Sequence, residues 1–250
     1  MYKIDNQRRK TALITGASGE IGSEVSLMLA KNNFDLILHF FSNYEKIKTL
    51  QEGCKEYGVN VVIKQADLSK YDDICNIFKF INDINMNPNV VINSAGISNY
   101  GLIQDVSYSD WKGLIDLHLM GTYFCTQKAL PEMLKQNYGR IINISSIWGE
   151  NGAANEVLYS MSKGAINSFT KALAKELAPS GITVNAIAPG IVMSKMMSHF
   201  TLEEIEELKT EIPMNRFAKP IEIAESVLHL LHHNSAYITG QIINIDGGWN

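Results

Sequence analysis

This sequence is short of cysteine, proline, positive charge and long apolar runs, and each shortage closes a class of structure. Its 3 cysteines, Cys54, Cys75 and Cys125, stand far apart without Cys-x-x-Cys spacing. Neither a disulfide framework nor a zinc site is expected, and a reducing cytoplasm is the expected setting. No other metal site is expected, because His229, His232 and His233 fall near a helix end, where partial positive charge is favourable. Net charge is −4 and no basic run exceeds Arg8-Arg9-Lys10, so the clustered positive surface of a nucleic-acid binder is missing. No apolar stretch approaches the roughly 20 residues of a membrane helix, and the first residues carry no signal-peptide core. With 6 prolines, 18 glycines, 46% hydrophobic and 19% charged residues, the composition is that of a globular chain and not of a disordered one. Its 250 residues read as one domain, 1–250, able to bury roughly 75% of the surface of the unfolded chain.

What is present is alternation. Short apolar runs recur at Thr11–Thr15, Leu36–Leu38, Val61–Ile63, Val90–Ile92, Ile141–Ile144, Thr183–Ile187 and Ile242–Ile245. Most intervals between them have helical periodicity, including long helices expected near Ser109–Asn137 and Leu158–Ala178. Seven buried strands with helical spacers predict an α/β, doubly wound, seven-stranded parallel sheet of Rossmann type, covered by helices on both faces. The stretch from Pro189 to Pro220, rich in Met and Glu, is the least regular. It leaves the sixth strand at the edge where open α/β sheets bind ligands, so about 190–220 reads as a substrate lid.

The first strand runs into Thr15-Gly16-Ala17-Ser18-Gly19-Glu20-Ile21-Gly22 and then a helix. Glycines there permit a tight turn and let a pyrophosphate approach the N–H groups of the helix N-terminus. Asp67-Leu68 follows the third strand, where a carboxylate can accept from an adenine amino group. Asn93-Ser94-Ala95-Gly96 follows the fourth, and Pro189-Gly190 the sixth. All of these lie at strand carboxyl ends on one edge of the sheet. Ser145-Ser146 ends the fifth strand, and Tyr159-Ser160-Met161-Ser162-Lys163 opens the next helix. Tyr159 and Lys163 share a helix face by their spacing, and a nearby ammonium favours the phenolate of a group that is otherwise a weak acid at neutral pH.

In this order and spacing, Thr-Gly-x3-(Gly)-x-Gly with Glu20 at the bracketed position, Asn-x-Ala-Gly, Ser, Tyr-x3-Lys, Pro-Gly and the closing Asp246-Gly247-Gly248 resemble the short-chain dehydrogenase/reductase family, in particular its 3-oxoacyl-carrier-protein reductase branch. The resemblance implies an enzyme, an oxidoreductase moving hydride between a nicotinamide cofactor and a carbonyl. Tyr159 is then the general acid, Ser146 polarises the carbonyl, and Lys163 holds the nicotinamide ribose and lowers the Tyr159 pKa. Gly16, Ser18, Ile21 and Gly22 cradle the pyrophosphate, Asp67 and Leu68 meet adenine, and Asn93, Ala95 and Gly96 line the cofactor with Pro189 and Gly190. Ile191 and Ser194 meet the carboxamide. Family members are usually tetramers, which implies a homotetramer or homodimer here.

Four departures from the family pattern carry information. His118 replaces the Asn that anchors a proton-relay water, and imidazole can both donate and accept, so His118 is expected to join the catalytic group with an acidic limb of its own. Glu20 replaces a loop glycine, and its side chain is expected to point to solvent. The end of the second strand, Phe40-Phe41-Ser42-Asn43, lacks the acid that NAD enzymes place against the ribose hydroxyls. Ser42 and Asn43 can donate to a 2′-phosphate, with Lys46 or Lys48 at range, so NADP(H) is favoured over NAD(H). Glu150 and Glu156 edge the path to Tyr159, which suits a cationic or neutral ketone better than a carrier-bound thioester. The stretch from Ser146 to Tyr159, with His118, is also similar to a branch that reduces a 5-aminopentanone group on a lysine of elongation factor P. A reading of another class is an NADP(H)-binding regulator without catalysis. The substrate is a small-molecule or carrier-bound ketone; no nucleic acid or membrane is expected as a partner.

Overall fold

The computed structural model describes residues 9–193 and 201–250, apart from the side chain of Leu202. Seven strands form the sheet: β1 (Thr11–Thr15), β2 (Asp35–Phe40), β3 (Val61–Gln65), β4 (Val90–Asn93), β5 (Gly139–Ile144), β6 (Ile182–Pro189) and β7 (Ile242–Ile245). Every pairing is parallel, in the order β3-β2-β1-β4-β5-β6-β7. The order reverses between β1 and β4, so a crevice opens at their carboxyl ends, where ligands of such sheets bind.

Uniform burial explains the uniform apolarity of the strands. All five residues of β1 are buried, and successive side chains feed opposite layers. Ala12 and Ile14 pack with Val25 and Leu29 of α1 (Glu20–Lys31), Ile47 and Leu50 of α2 (Tyr44–Lys55), and Ile223 and Val227 of α9 (Pro220–Leu231). Leu13 packs on the other side with Ile77 and Ile81 of α3 (Tyr71–Asp83), Cys125 and Met133 of α5 (Gly121–Gln136), and Leu177 of α7 (Val157–Leu177). A fully buried side chain such as Ile14 contributes about 1.5–3 kcal/mol of hydrophobic stabilisation, and Cys125 belongs to this apolar layer, where burial pushes its thiol up to about 12.

The long helix expected after β4 is interrupted. α4 (Tyr108–Ile115) passes into a π turn, Asp116–Met120, and then into α5. Such π insertions concentrate at functional sites, and this one carries His118. A short helix, α6 (Trp148–Asn151), lies between β5 and α7. Beyond β6, the proposed lid begins with a parallel bridge between Val192 and Ala218, where Met193 N–H donates to the Ala218 carbonyl at 2.9 Å. Within it α8 (Leu202–Thr210) starts on a Thr201–Glu204 capping box. Among the described residues, no helix is long and apolar enough to cross a membrane.

Candidate active site

The glycine loop is held from behind by histidine. Gly16 turns with φ +64°, and a Cβ there would lie 2.7 Å from the Ala95 Cα, so no larger residue fits. Its N–H donates to Nδ1 of His39 at 3.1 Å, while His39 Nε2 faces the Ala66 carbonyl at 3.1 Å. The backbone donor fixes the tautomer, so Nε2–H donates to Ala66. The ring thereby joins β1, β2 and the end of β3. Burial pulls the His39 pKa down to about 4, against the opposing pull of the Ala66 carbonyl and Asp67. Sequence reasoning assigned His39 no role; the available signal was one polar residue in an otherwise apolar strand end.

Helix α1 begins at Gly19 with no side-chain cap. Its first N–H groups are therefore left to an anion, as a pyrophosphate cradle requires. Ser18, Ile21 and Gly22 belong to this turn, with Gly22 packed against the Gly16 carbonyl. Glu20 does not project into solvent: its carboxylate meets Lys46 Nζ at 3.3 Å, because α2 packs on α1. Ser42 and Asn43 are exposed, and the Asn43 side-chain oxygen caps α2 by accepting from Lys46 N–H.

Asp67 Oδ1 accepts from Ser69 N–H and Oγ–H, and Oδ2 lies 3.4 Å from Lys70 Nζ. Burial raises this carboxyl, but the Ser69 and Lys70 interactions outweigh it and hold it below the usual range. Leu68 is buried against Gly121, so only its backbone is left for a cofactor. Asn93 also differs from expectation. Its amide donates to Thr126 Oγ1 at 3.0 Å and Asn143 Oδ1 at 2.8 Å, and Asn143 donates on to Thr170. The side-chain nitrogen is spent on tying β4 to β5, α5 and, through Asn143, α7, because it points into the sheet interior. Ser94 and Ala95 N–H both donate to Thr15 Oγ1. Pro189 and Gly190 are locked to Ile147 and Ile245 by backbone hydrogen bonds, and the Ile191 carbonyl accepts from Ala218. Ser194 lies outside the described residues.

At the other end of the crevice Ser146, Tyr159, Lys163 and His118 converge. Ser146 hydrogen-bonds the Tyr159 phenol, and Ser146 Oγ also accepts from Trp148 N–H at 3.2 Å. Lys163 Nζ lies 5.4 Å from the Tyr159 ring centre and donates to the Ile144 carbonyl at 2.9 Å. Burial draws its ammonium down to about 8. The lowering of the Tyr159 pKa expected from Lys163 is absent: burial, then the charge of Glu156, push the phenol up to about 12 against the opposing pull of Ser146. Tyr159 is therefore protonated at neutral pH, the state of an acid. Both His118 nitrogens are taken, Nε2 by Ile97 N–H at 3.0 Å and Nδ1 by Ser162 Oγ at 2.8 Å. No ring nitrogen is left for a relay water, contrary to the expectation from sequence. Burial, then the Lys163 charge, draw the His118 pKa to about 3, so no acidic limb near neutrality comes from it. The Glu150 carboxylate accepts from the Asn244 amide at 3.2 Å.

The arrangement combines an uncapped helix start, a hydroxyl pair and a buried ammonium along one crevice, a donor set that fits a nicotinamide dinucleotide. Residues 16–250 match the family model described as enoyl-(acyl carrier protein) reductase. The chain is 47% identical over 242 residues to an uncharacterized oxidoreductase, YmfI, of Bacillus subtilis, covering 96% of this chain and 99% of that protein. It is 36% identical over 239 residues to a Staphylococcus aureus 3-oxoacyl-[acyl-carrier-protein] reductase, covering 96% and 97%. A variant of a Serratia marcescens short-chain dehydrogenase/reductase superposes with TM-score 0.90 at 26% identity, covering 96% and 97%. A parallel seven-stranded sheet, a glycine loop behind an uncapped helix, and relatives matched over nearly their whole length lead to one assignment: the chain belongs to the short-chain dehydrogenase/reductase family and is an NAD(P)H-dependent oxidoreductase.

Proposed function

We propose that this enzyme is an NADPH-dependent ketone reductase in which Tyr159 is the proton donor. The observation that carries the reading is the Ser146–Tyr159 hydrogen bond beside the buried Lys163. A bound nicotinamide cofactor supplies the hydride. The chain supplies the rest: Ser146 Oγ–H donates to the ketone oxygen, and Tyr159 Oη–H passes its proton to that oxygen as it becomes an alkoxide. The phenolate left behind is disfavoured by burial and by the charge of Glu156, so it takes a proton back before the next turnover. The family model's description names reduction of a C=C bond, but two hydroxyls that hydrogen-bond each other are suited to a developing oxyanion. The Gly16–Gly22 turn would hold the pyrophosphate, and the Ser94–Gly96 backbone, Asp67, Pro189, Gly190 and Ile191 would complete the crevice. NADP(H) is preferred because no carboxylate stands at the end of β2, where Ser42, Asn43 and the start of α2 offer donors to a 2′-phosphate.

For the substrate, the reading most like the Staphylococcus relative is a 3-oxoacyl thioester on a carrier protein. A second reading is favoured by Glu156, whose charge is felt at the Tyr159 phenol: a ketone bearing a cationic amine, such as the aminopentanone on elongation factor P. The segment 190–220 would close over either substrate. Exposed Tyr108, Trp111 and Tyr123 on α4 and α5 support assembly into a dimer or tetramer, measurable by light scattering. Free cysteines throughout support a reducing, cytoplasmic setting.

The test is NADPH and NADH oxidation with a short 3-oxoacyl thioester and with an aminoketone, using wild type, Tyr159→Phe and Glu156→Gln. Tyr159→Phe is expected to lower turnover about 10²–10⁴-fold while NADPH still binds. Glu156→Gln changes the acidity of Tyr159 for both substrates, so the aminoketone reading expects the aminoketone reaction to fall relative to the thioester reaction. Cofactor binding without turnover of either ketone would sink the reading and favour a non-catalytic binder.

A further inference from the structure

We propose that His118 is a positioning residue, an imidazole strut that locks the loop after β4 onto the first turn of the catalytic helix α7. It rests on the reading of Tyr159 as the acid. The strut runs in one direction. Ile97 N–H donates to His118 Nε2 at 3.0 Å, which leaves the ring proton on Nδ1. That N–H donates to Ser162 Oγ at 2.8 Å, and Ser162 Oγ–H donates to the Tyr159 carbonyl at 2.7 Å. Every donor and acceptor in the chain is used once, and it ends on the main chain of the tyrosine itself.

Shape supports the same assignment. His118 and Ser162 are both 0% exposed. The imidazole stands edge-on to the Tyr159 ring, 5.8 Å between centres and 74° between planes. A Cβ at residue 96 would lie 2.9 Å from His118 Nε2, so Gly96 keeps open the space the ring fills. The π turn at Asp116–Met120 places His118 at this depth between two elements. A second ring proton would set one N–H against the N–H of Ile97. The groups facing the ring, Tyr159, Ser162 and the Lys163 ammonium, offer that proton no acceptor. The strut works only as neutral imidazole, and its effect on chemistry is to hold Tyr159 in register with Ser146, not to transfer a proton.

The test uses His118→Phe, His118→Gln, Ser162→Ala and the His118→Phe/Ser162→Ala double variant. Amide hydrogen exchange at Ile97 is the first readout and does not depend on turnover. His118→Phe is expected to speed that exchange about tenfold, through loss of one hydrogen bond, and His118→Gln, which can both accept and donate, to restore most of the protection. In the ketone assay His118→Phe should lower kcat about 10- to 100-fold, the cost of a displaced catalytic group, with NADPH Kd within about twofold. Ser162→Ala should lower kcat similarly, and the double variant should be little worse than either single one. Unchanged Ile97 exchange in His118→Phe would overturn the strut. So would additive losses, or a wild-type acidic limb between pH 5 and 7 that His118→Gln removes. If His118→Phe does not fold, Ser162→Ala decides alone, by whether kcat falls at constant NADPH affinity. Should no ketone be turned over, the proposed function fails, while the exchange readout still decides for or against the strut.

Discussion

Acidifying the protein from pH 7.5 to 5 should remove about 4 kcal/mol of folding stability through His39 and His118 alone. His39 is 2% exposed and His118 is fully buried. Burial is the main cause that draws His39 from 6.5 to about 4 and His118 from 6.5 to about 3. Between those values and 6.5 the unfolded chain binds a proton at each ring that the folded chain refuses. Stability is therefore retained above the unfolded pKa and falls as the pH drops below it. Each ring costs about 1.4 kcal/mol per pH unit once the unfolded histidine is protonated, and about 2 kcal/mol over this interval. Urea unfolding at one fixed protein concentration, at pH 7.5, 6 and 5, measures the slope. His39→Asn and His118→Gln should each lose about 2 kcal/mol less than wild type over that range. Contributions from carboxylates such as Glu222, held low by Arg216, cancel in the comparison. Parallel slopes for wild type and both variants would refute the argument, because they would mean that neither ring is held neutral by the fold.

Glu20→Gln should tighten NADPH about 3- to 10-fold by releasing Lys46 toward the 2′-phosphate, with a smaller gain for NADH from removing a carboxylate near the shared pyrophosphate, and both gains shrinking in high salt. Fluorescence titration of both cofactors checks this, and an equal effect on the two would separate the ion pair from the 2′-phosphate. Gly96→Ala forces a methyl to 2.9 Å from a ring pinned at both nitrogens. It should cost about 1–3 kcal/mol of stability and loosen the Ile97 amide as well; an unchanged melting temperature with normal exchange would count against the packing argument.

Much of the fold was legible because its signals are local. A strand buried on both faces must be apolar at every position, so the seven runs stood out before any contact was known, and all seven are strands. Tyr159 and Lys163 share a face because helix geometry alone brings residues four apart together. The glycine loop was legible for the same reason, since a tight turn needs Gly16 whatever surrounds it. Boundaries were less legible: the helix expected as one element is split by a π turn, Asp116–Met120, which carries His118 to the Ile97 N–H and Ser162.

What the sequence by itself determined, then, is the sheet, the glycine loop and the order of hydroxyl, phenol and ammonium along the chain. Tertiary structure alone decided where polar side chains point and which protonation states they keep. Asn93 turned its amide nitrogen into the sheet, Glu20 found Lys46 on a neighbouring helix, and His39 took hold of the Gly16 N–H across two strands. These partners are distant in sequence, and a hydrogen bond is set by the direction of both groups. The pKa values of Tyr159, Lys163 and His118 depend on water removed by elements that pack from elsewhere in the chain. Spacing cannot encode that desolvation; only the assembled core imposes it.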